Sequence, residues 1–178
     1  MKKENVLWIW ILPAVFLVFS SCGYRFSGSR DMAFAKNPII IEVFENRTME
    51  NGAGFLAANR FIEVFSRRGA AAGGEKDAGA ADVLSGVVES MSISTISEKS
   101  RHQPSERRLT LVLSLTWVGK DGKILWRGKK ISGDRDYRVG AGKLETEQNR
   151  RRAVSDLAGI LGERAFYMMA RESGRRAP

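Results

Sequence analysis

The segment from Arg108 to Val118 constrains the fold more than any other part of the chain. Leu109, Leu111, Leu113, Leu115 and Trp117 alternate with Thr110, Val112, Ser114 and Thr116. A period of two is the signature of a strand with one face in a core. Lys120-Asp121-Gly122-Lys123 follows, and Asp-Gly is the pair that supplies the positive φ of a tight hairpin. A strand must therefore return, and Ile124 to Ser132 with Trp126 is predicted to be that strand. "GDRDYRV" continues irregularly from it to Val139. Upstream, Val83 to Ile96 reads as an antiparallel partner. Glu89 breaks its alternation, which points to a bulge or an edge position.

Two helices accompany these strands. Phe55, Ala58, Phe61, Ile62 and Phe65 recur at three- and four-residue steps between Ala53 and Arg68. A second stripe, Ala153, Val154, Leu157, Ile160, Leu161, Ala165 and Met168, marks a helix over 145–170. "IIIEVF" from Ile39 to Phe44 is β-branched and reads as a strand buried on both faces. "GAAAGGEKDAGAAD", Gly69 to Asp82, is predicted to be a mobile loop, and 97–106 a polar turn. The expected architecture is α+β: a two-layer sandwich, with an approximately four-stranded mixed or antiparallel sheet and two helices packed on one face. Its order is β-α-β-β-β-α, since each single apolar stripe must be buried against the sheet. The predicted domain spans 38–171, with a polar tail at 172–178.

The N-terminus sets the compartment. Lys2 and Lys3 precede a nearly unbroken apolar run from Val6 to Phe19. That run is shorter than the ~20 residues a span requires and is interrupted by Pro13. It has the layout of a secretory leader over 1–21, with a simple membrane anchor as the alternative. Phe19-Ser20-Ser21-Cys22 then resembles the lipobox of bacterial lipoproteins, with Phe19 where Leu is usual. The chain has one cysteine, so an internal disulfide is excluded. An acylated Cys22 heading a 22–37 tether explains that lone thiol better than a buried hydrophobe does. Two or more acyl chains hold a protein firmly on a membrane. By that resemblance, Gly23 after the cysteine, rather than Asp, points to the outer membrane.

The formal net charge is +9. Nearly all of it stays with the exported part, since the leader holds only Lys2, Lys3 and Glu4. In the envelope the fitting acidic partner is a phosphorylated lipid rather than nucleic acid. Two cation clusters qualify for such contact: Lys99, Arg101, Arg107 and Arg108, with His102 among them, and Lys120, Lys123, Arg127, Lys129 and Lys130. They fall at opposite ends of the strand meander, and the first is favoured. Arg150-Arg151-Arg152 reads as a solvated helix face. Catalysis is not expected. His102 is the only histidine, and neither a G-x-S-x-G elbow nor a glycine-rich phosphate loop is present. No metal or cofactor is expected.

Several motifs together resemble the LptE family of lipopolysaccharide-assembly lipoproteins. They are "GYRF" straight after Cys22, "FENRT" at Phe44 to Thr48, "NRF" at Asn59 to Phe61, and "AD-x-L-x-G" at Ala81 to Gly86. "DGKILW" at Asp121 to Trp126 and "YRV" at Tyr137 to Val139 complete the set. The resemblance implies a protein lipid-anchored at the periplasmic side of the outer membrane. Its domain would plug the β-barrel of an LptD-type partner, help that barrel assemble, and contact lipopolysaccharide. The competing expectation is a generic outer-membrane lipoprotein with another envelope partner.

Overall fold

The computed structural model describes residues 35–71, 81–100 and 103–176, all within one unit, Asp31–Pro178. The leader, the lipobox with Cys22, the tether as far as Phe34, "GYRF" and most of the Gly/Ala-rich loop lie outside the described residues. The elements are β1 (Ile39–Ile41), β2 (Glu45–Asn46), α1 (Ala53–Arg67), β3 (Asp82–Ser100), β4 (Gln103–Val118), β5 (Ile124–Arg138) and α2 (Lys143–Arg176). The sheet order is β1-β3-β4-β5, and β2 continues the β1 edge along β3. β1 and β2 run parallel to β3, with Ile40 opposite Val83 and Asn46 opposite Val88. β3, β4 and β5 form the antiparallel meander. This is the α+β arrangement and element order expected, with the first strand in two short pieces.

The alternation in β4 is realised in full. Leu109, Leu111, Leu113, Leu115 and Trp117 are buried, and the residues between them are half-buried on the other face. Both helices pack on the leucine face. Arg60 Nε donates to the Ser155 carbonyl at 3.2 Å and Arg68 pairs with Glu163 at 2.8 Å, so α1 and α2 run in the same direction. A Cβ on Gly133 of β5 would sit 3.0 Å from Leu157, so glycine here lets α2 close on the sheet. Phe44, Phe61, Phe65 and Phe166 form a chain of ring contacts through the core, with centroids 5.0–6.2 Å apart. No helix among the described residues is long and apolar enough to cross a membrane.

Several elements differ from expectation for identifiable reasons. The first strand is an edge, so Ile39, Ile41 and Phe44 are buried while Val43 is exposed. In α1, Phe55 and Ile62 are exposed, and Ala57 and Val64 are buried in their place. Phe55 and Ile62 lie seven apart on one flank, about 120° around the helix from Phe61. Likewise Ile160 and Met168 of α2 are exposed, whereas Ala158, Phe166 and Met169 are buried. The helix α2 continues to Arg176. The segment 97–106 is strand through most of its length, with Glu98 opposite Pro104. β5 runs unbroken to Arg138. The bulge read from Glu89 is present, as the β3 register slips between Val88 and Ser90.

The motif residues have structural work. Asn46 Oδ1 accepts from the Thr48 N–H at 3.0 Å and its hydroxyl at 2.7 Å, closing the turn after β2. Asp82 is 2 % exposed. Its Oδ1 accepts from Asn37 at 3.0 Å and from the Lys120 N–H at 3.1 Å, tying the start of β3 to the chain before β1 and to the β4–β5 turn.

Candidate functional site

The helix-free face of the sheet carries small residues along its centre: Val87 and Ser90 of β3, and Val112, Ser114 and Thr116 of β4. Such side chains leave a trough, and a concavity of about 820 Å³ lies over them. Arg47, leaving β2, and Glu89 at the β3 bulge form one wall. Arg127, Lys129 and Lys130 of β5 form the other. Four cations thus face a single lining carboxylate. Arg47 is held by Glu45 at 2.8 Å and Glu89 at 3.3 Å. These carboxylates, Glu45 first, raise its pKa above the ordinary guanidinium value. Among the described residues, Arg127, Lys129 and Lys130 have no side-chain hydrogen bond or ion pair, so their charge is available to a ligand.

A second bulge shapes the β5 wall. Leu115 faces Gly128 and Leu113 faces Ile131, so β5 takes three steps where β4 takes two. Lys130 absorbs the extra residue at φ 55°, the only positive φ at a non-glycine among the described residues. Holding an L-residue there costs roughly 1–2 kcal/mol. Strained backbone of this kind gathers at functional positions, and bulges re-aim side chains. A lysine rather than glycine in this bulge places a cation on the trough.

The expected clusters fare differently. Arg107 and Arg108 are adjacent on a strand and so point to opposite faces. Arg108 grips Asp136 with two hydrogen bonds of 2.8 and 2.9 Å across β4 and β5. That grip raises the arginine's pKa and lowers the aspartate's. Arg107 lies on the helix side, between Thr95 and Tyr137 in register. The two do not form one cluster. Arg101 and His102, and the side chain of Lys99, lie outside the described residues. In the second cluster, Arg127, Lys129 and Lys130 line the trough. Lys120 and Lys123 sit at the β4–β5 turn and do not, and Lys123 pairs with Asp121 at 3.1 Å.

Arg47 and Glu89 are the trough residues that sequence reasoning missed. Only the pairing of β2 with β3 brings Arg47 near β5 residues some 80 positions on. Arg150 also departs from its expected role, because it is a tie between elements rather than a solvated cation. It pairs with Glu50 before α1 and with Glu147 at 2.7 Å. Hydrogen bonds from Arg150 and then Arg151 hold the Glu147 carboxyl down at about 2.

Comparison with known proteins bears on this geometry. The sequence profile of the LptE family, described as lipopolysaccharide-assembly, matches residues 37–168. That range includes every strand and both helices up to Met168. Among solved structures, the rare lipoprotein B of Shewanella oneidensis is similar, with a TM-score of 0.51 and 16 % identity over 78 % of this chain and 98 % of that one. Lipoprotein B of Nitrosomonas europaea has a TM-score of 0.52 at 11 % identity, over 78 % of this chain and 85 % of that one. At such identities these likenesses establish the fold. No curated protein matches the sequence.

Proposed function

The chain belongs to the LptE family of lipopolysaccharide assembly, and on that footing we propose a non-enzymatic outer-membrane lipoprotein that plugs and helps assemble an LptD-type β-barrel. The observation that carries this reading is the family match itself, which runs from before β1 into the last turns of α2. Acylation of Cys22 supplies the anchor on the periplasmic side, and mass spectrometry of the native protein's N-terminal peptide tests it. Recovery of the detergent-solubilised native protein with a large outer-membrane barrel at one-to-one stoichiometry tests the partnership. Its absence favours a generic lipoprotein with another envelope partner.

Within that function we place the lipopolysaccharide contact in the trough. The ligand carries phosphates, which guanidinium groups bind bidentately and ammonium groups bind as compact charges. Arg127, Lys129 and Lys130 meet that need without breaking any ion pair of the described residues. Arg107 with Arg101 and Lys99 is the second place for the contact, favoured because Arg107 has no ion-pair partner among the described residues. Arg108 drops out of that set, since it is engaged by Asp136. Binding of purified lipopolysaccharide to two double variants separates the two. Loss in Arg127→Ala/Lys129→Ala supports the trough, and loss only in Arg101→Ala/Arg107→Ala moves the contact to the far end of the meander.

A further inference from the structure

The two long edges of the sheet are defended very differently. β5 is charged along its length by Arg127, Lys129, Lys130, Asp134, Arg135, Asp136 and Arg138. Two of its carbonyls are already taken by α2: Ser132 accepts from Arg164 at 2.6 Å and Arg138 from Asn149 at 3.1 Å. Charge and capping of this kind are how sheets keep edges from recruiting foreign strands. Between Glu89 and Glu98 the opposite edge carries no charge, and among the described residues no side chain caps its carbonyls. β1 and β2 cover β3 only from Asp82 to Val88. Beyond that, among the described residues, β3 has β4 on one side and nothing on the other.

The exposed backbone can be identified by parity. Leu84 and Val88 accept from Glu42 and Arg47, so their backbone groups face the β1/β2 side. The bulge at Glu89 then shifts the phase, and Ser90, Ser92 and Ser94 pair inward with β4. Met91, Ile93 and Thr95 therefore turn their N–H and C=O outward. The run Ser90–Ile96, "SMSISTI", holds no charge, no proline and no glycine. Ile93 and Ile96 are 42 % and 41 % exposed.

We propose that Ser90–Ile96 is a strand-addition site for an extended segment of the barrel protein, an inference that rests on the reading given under Proposed function. An uncharged edge with alternating apolar side chains is an aggregation hazard in a free protein. It is harmless where a partner always covers it, as for a plug inside a barrel. The edge also specifies its occupant. Met91 and Ile93 on the helix side require apolar residues at alternate positions. The serines on the other face require small ones, and the middle must carry no charge. Arg107 lies one strand in from the edge opposite Thr95. A strand added there runs about 10 Å away, so a carboxylate at that end of the segment pairs with Arg107.

The test is amide hydrogen exchange on the native lipoprotein, alone in detergent and co-purified with its barrel. Peptides covering 90–96 are expected to exchange at least 100-fold more slowly in the complex, with a smaller change over 132–138. Ile93→Pro removes an N–H that has no partner in the free chain, and Ile93→Lys keeps the N–H but adds a charge. Both are expected to lower barrel recovery at least tenfold while the free variants keep their unfolding midpoints. If the proline variant does not fold, the lysine variant decides. A barrel that co-purifies in full with Ile93→Lys, or leaves 90–96 exchanging as in the free chain, overturns the inference and leaves the partnership standing. If no barrel co-purifies with the wild type, the partnership falls and the inference with it.

Discussion

Replacing Gly86 by alanine tests whether the "FENRT" and "AD-x-L-x-G" motifs form one packing unit. A Cβ built on Gly86 lies 2.6, 2.7 and 2.8 Å from Cδ1, Cγ and Cε1 of Phe44. Carbon atoms in contact rest at about 3.5–4.0 Å, so the ring must retreat by about 1 Å. It has little room to do so. Phe44 is 3 % exposed and meets the Phe61 ring edge-on at 5.0 Å, and its carbonyl lies against Gly54. Overpacking of this kind costs about 1–3 kcal/mol, offset by about 0.5–1 kcal/mol for removing a glycine's freedom from the unfolded chain. A net loss of about 1–2 kcal/mol is expected from urea unfolding followed by circular dichroism. The decisive measurement is the double-mutant cycle. With Phe44→Leu already in place the obstacle is gone, and Gly86→Ala should become neutral or stabilising, giving a coupling of about 2 kcal/mol. A Gly86→Ala effect that is equal in the two backgrounds would refute the reasoning.

The same packing and charge pairing set three further outcomes. Gly54→Ala would set a Cβ against the Phe44 carbonyl, a backbone group that no rotamer change can move. It should lose about 3 kcal/mol or more in urea unfolding despite alanine's better helix propensity, and a stabilised variant contradicts it. Glu147 has a folded pKa of about 2 against an ordinary 4.5. Its contribution is present in full above pH 4.5 and is lost as pH falls from there toward 2. Its side chain is 37 % exposed, so screening leaves about 1 kcal/mol, and Arg150→Met should flatten that part of the pH–stability curve. Lys130→Gly relieves the left-handed backbone, by about 1–2 kcal/mol, less about 0.5–1 kcal/mol for the glycine's freedom in the unfolded chain, so it should raise stability by about 0.5 kcal/mol while weakening lipopolysaccharide binding. Unchanged binding would remove Lys130 from the site.

The parts of the fold that were legible are those where one local rule operates without competition. β4 is central, so its alternation maps onto burial residue by residue. Both helices were visible as stripes, yet their buried faces were misjudged at Phe55, Ile62, Ile160 and Met168. Large apolar residues on a flank carry as much weight in a periodicity count as those on the buried face. The segment 97–106 was misread for a related reason. Its serines, charges and Pro104 look like a turn, but β3 and β4 stay paired out to Ser100 and Gln103. Strands paired in this way can be polar without ceasing to be strands.

The site was legible only in fragments, and one error was avoidable. Arg107 and Arg108 were grouped because they are neighbours in sequence. In a strand, adjacency sends side chains to opposite faces, and the alternation that identified β4 already implied this. Arg127, Lys129 and Lys130 of the returning strand were named, but in one cluster with Lys120 and Lys123 of the turn, from which the fold separates them. Arg47 lies in the "FENRT" motif, but only non-local pairing of β2 with β3 places it at the trough. The motifs that carry the family likeness behave differently again. Phe44, Gly86 and Asp82 build the platform: a ring over a glycine, and a buried carboxylate tying β3 to its neighbours. Arg127, Lys129 and Lys130 belong to no such motif. Phe44, Gly86 and Asp82 thus tie the family likeness to the residues that hold the sheet together, and only Arg47 of "FENRT" also lines the trough. The contact proposed for a phosphorylated ligand would fall on Arg127, Lys129 and Lys130 outside the motifs, with Arg47 of "FENRT" across the trough, so it has to be measured on this chain residue by residue.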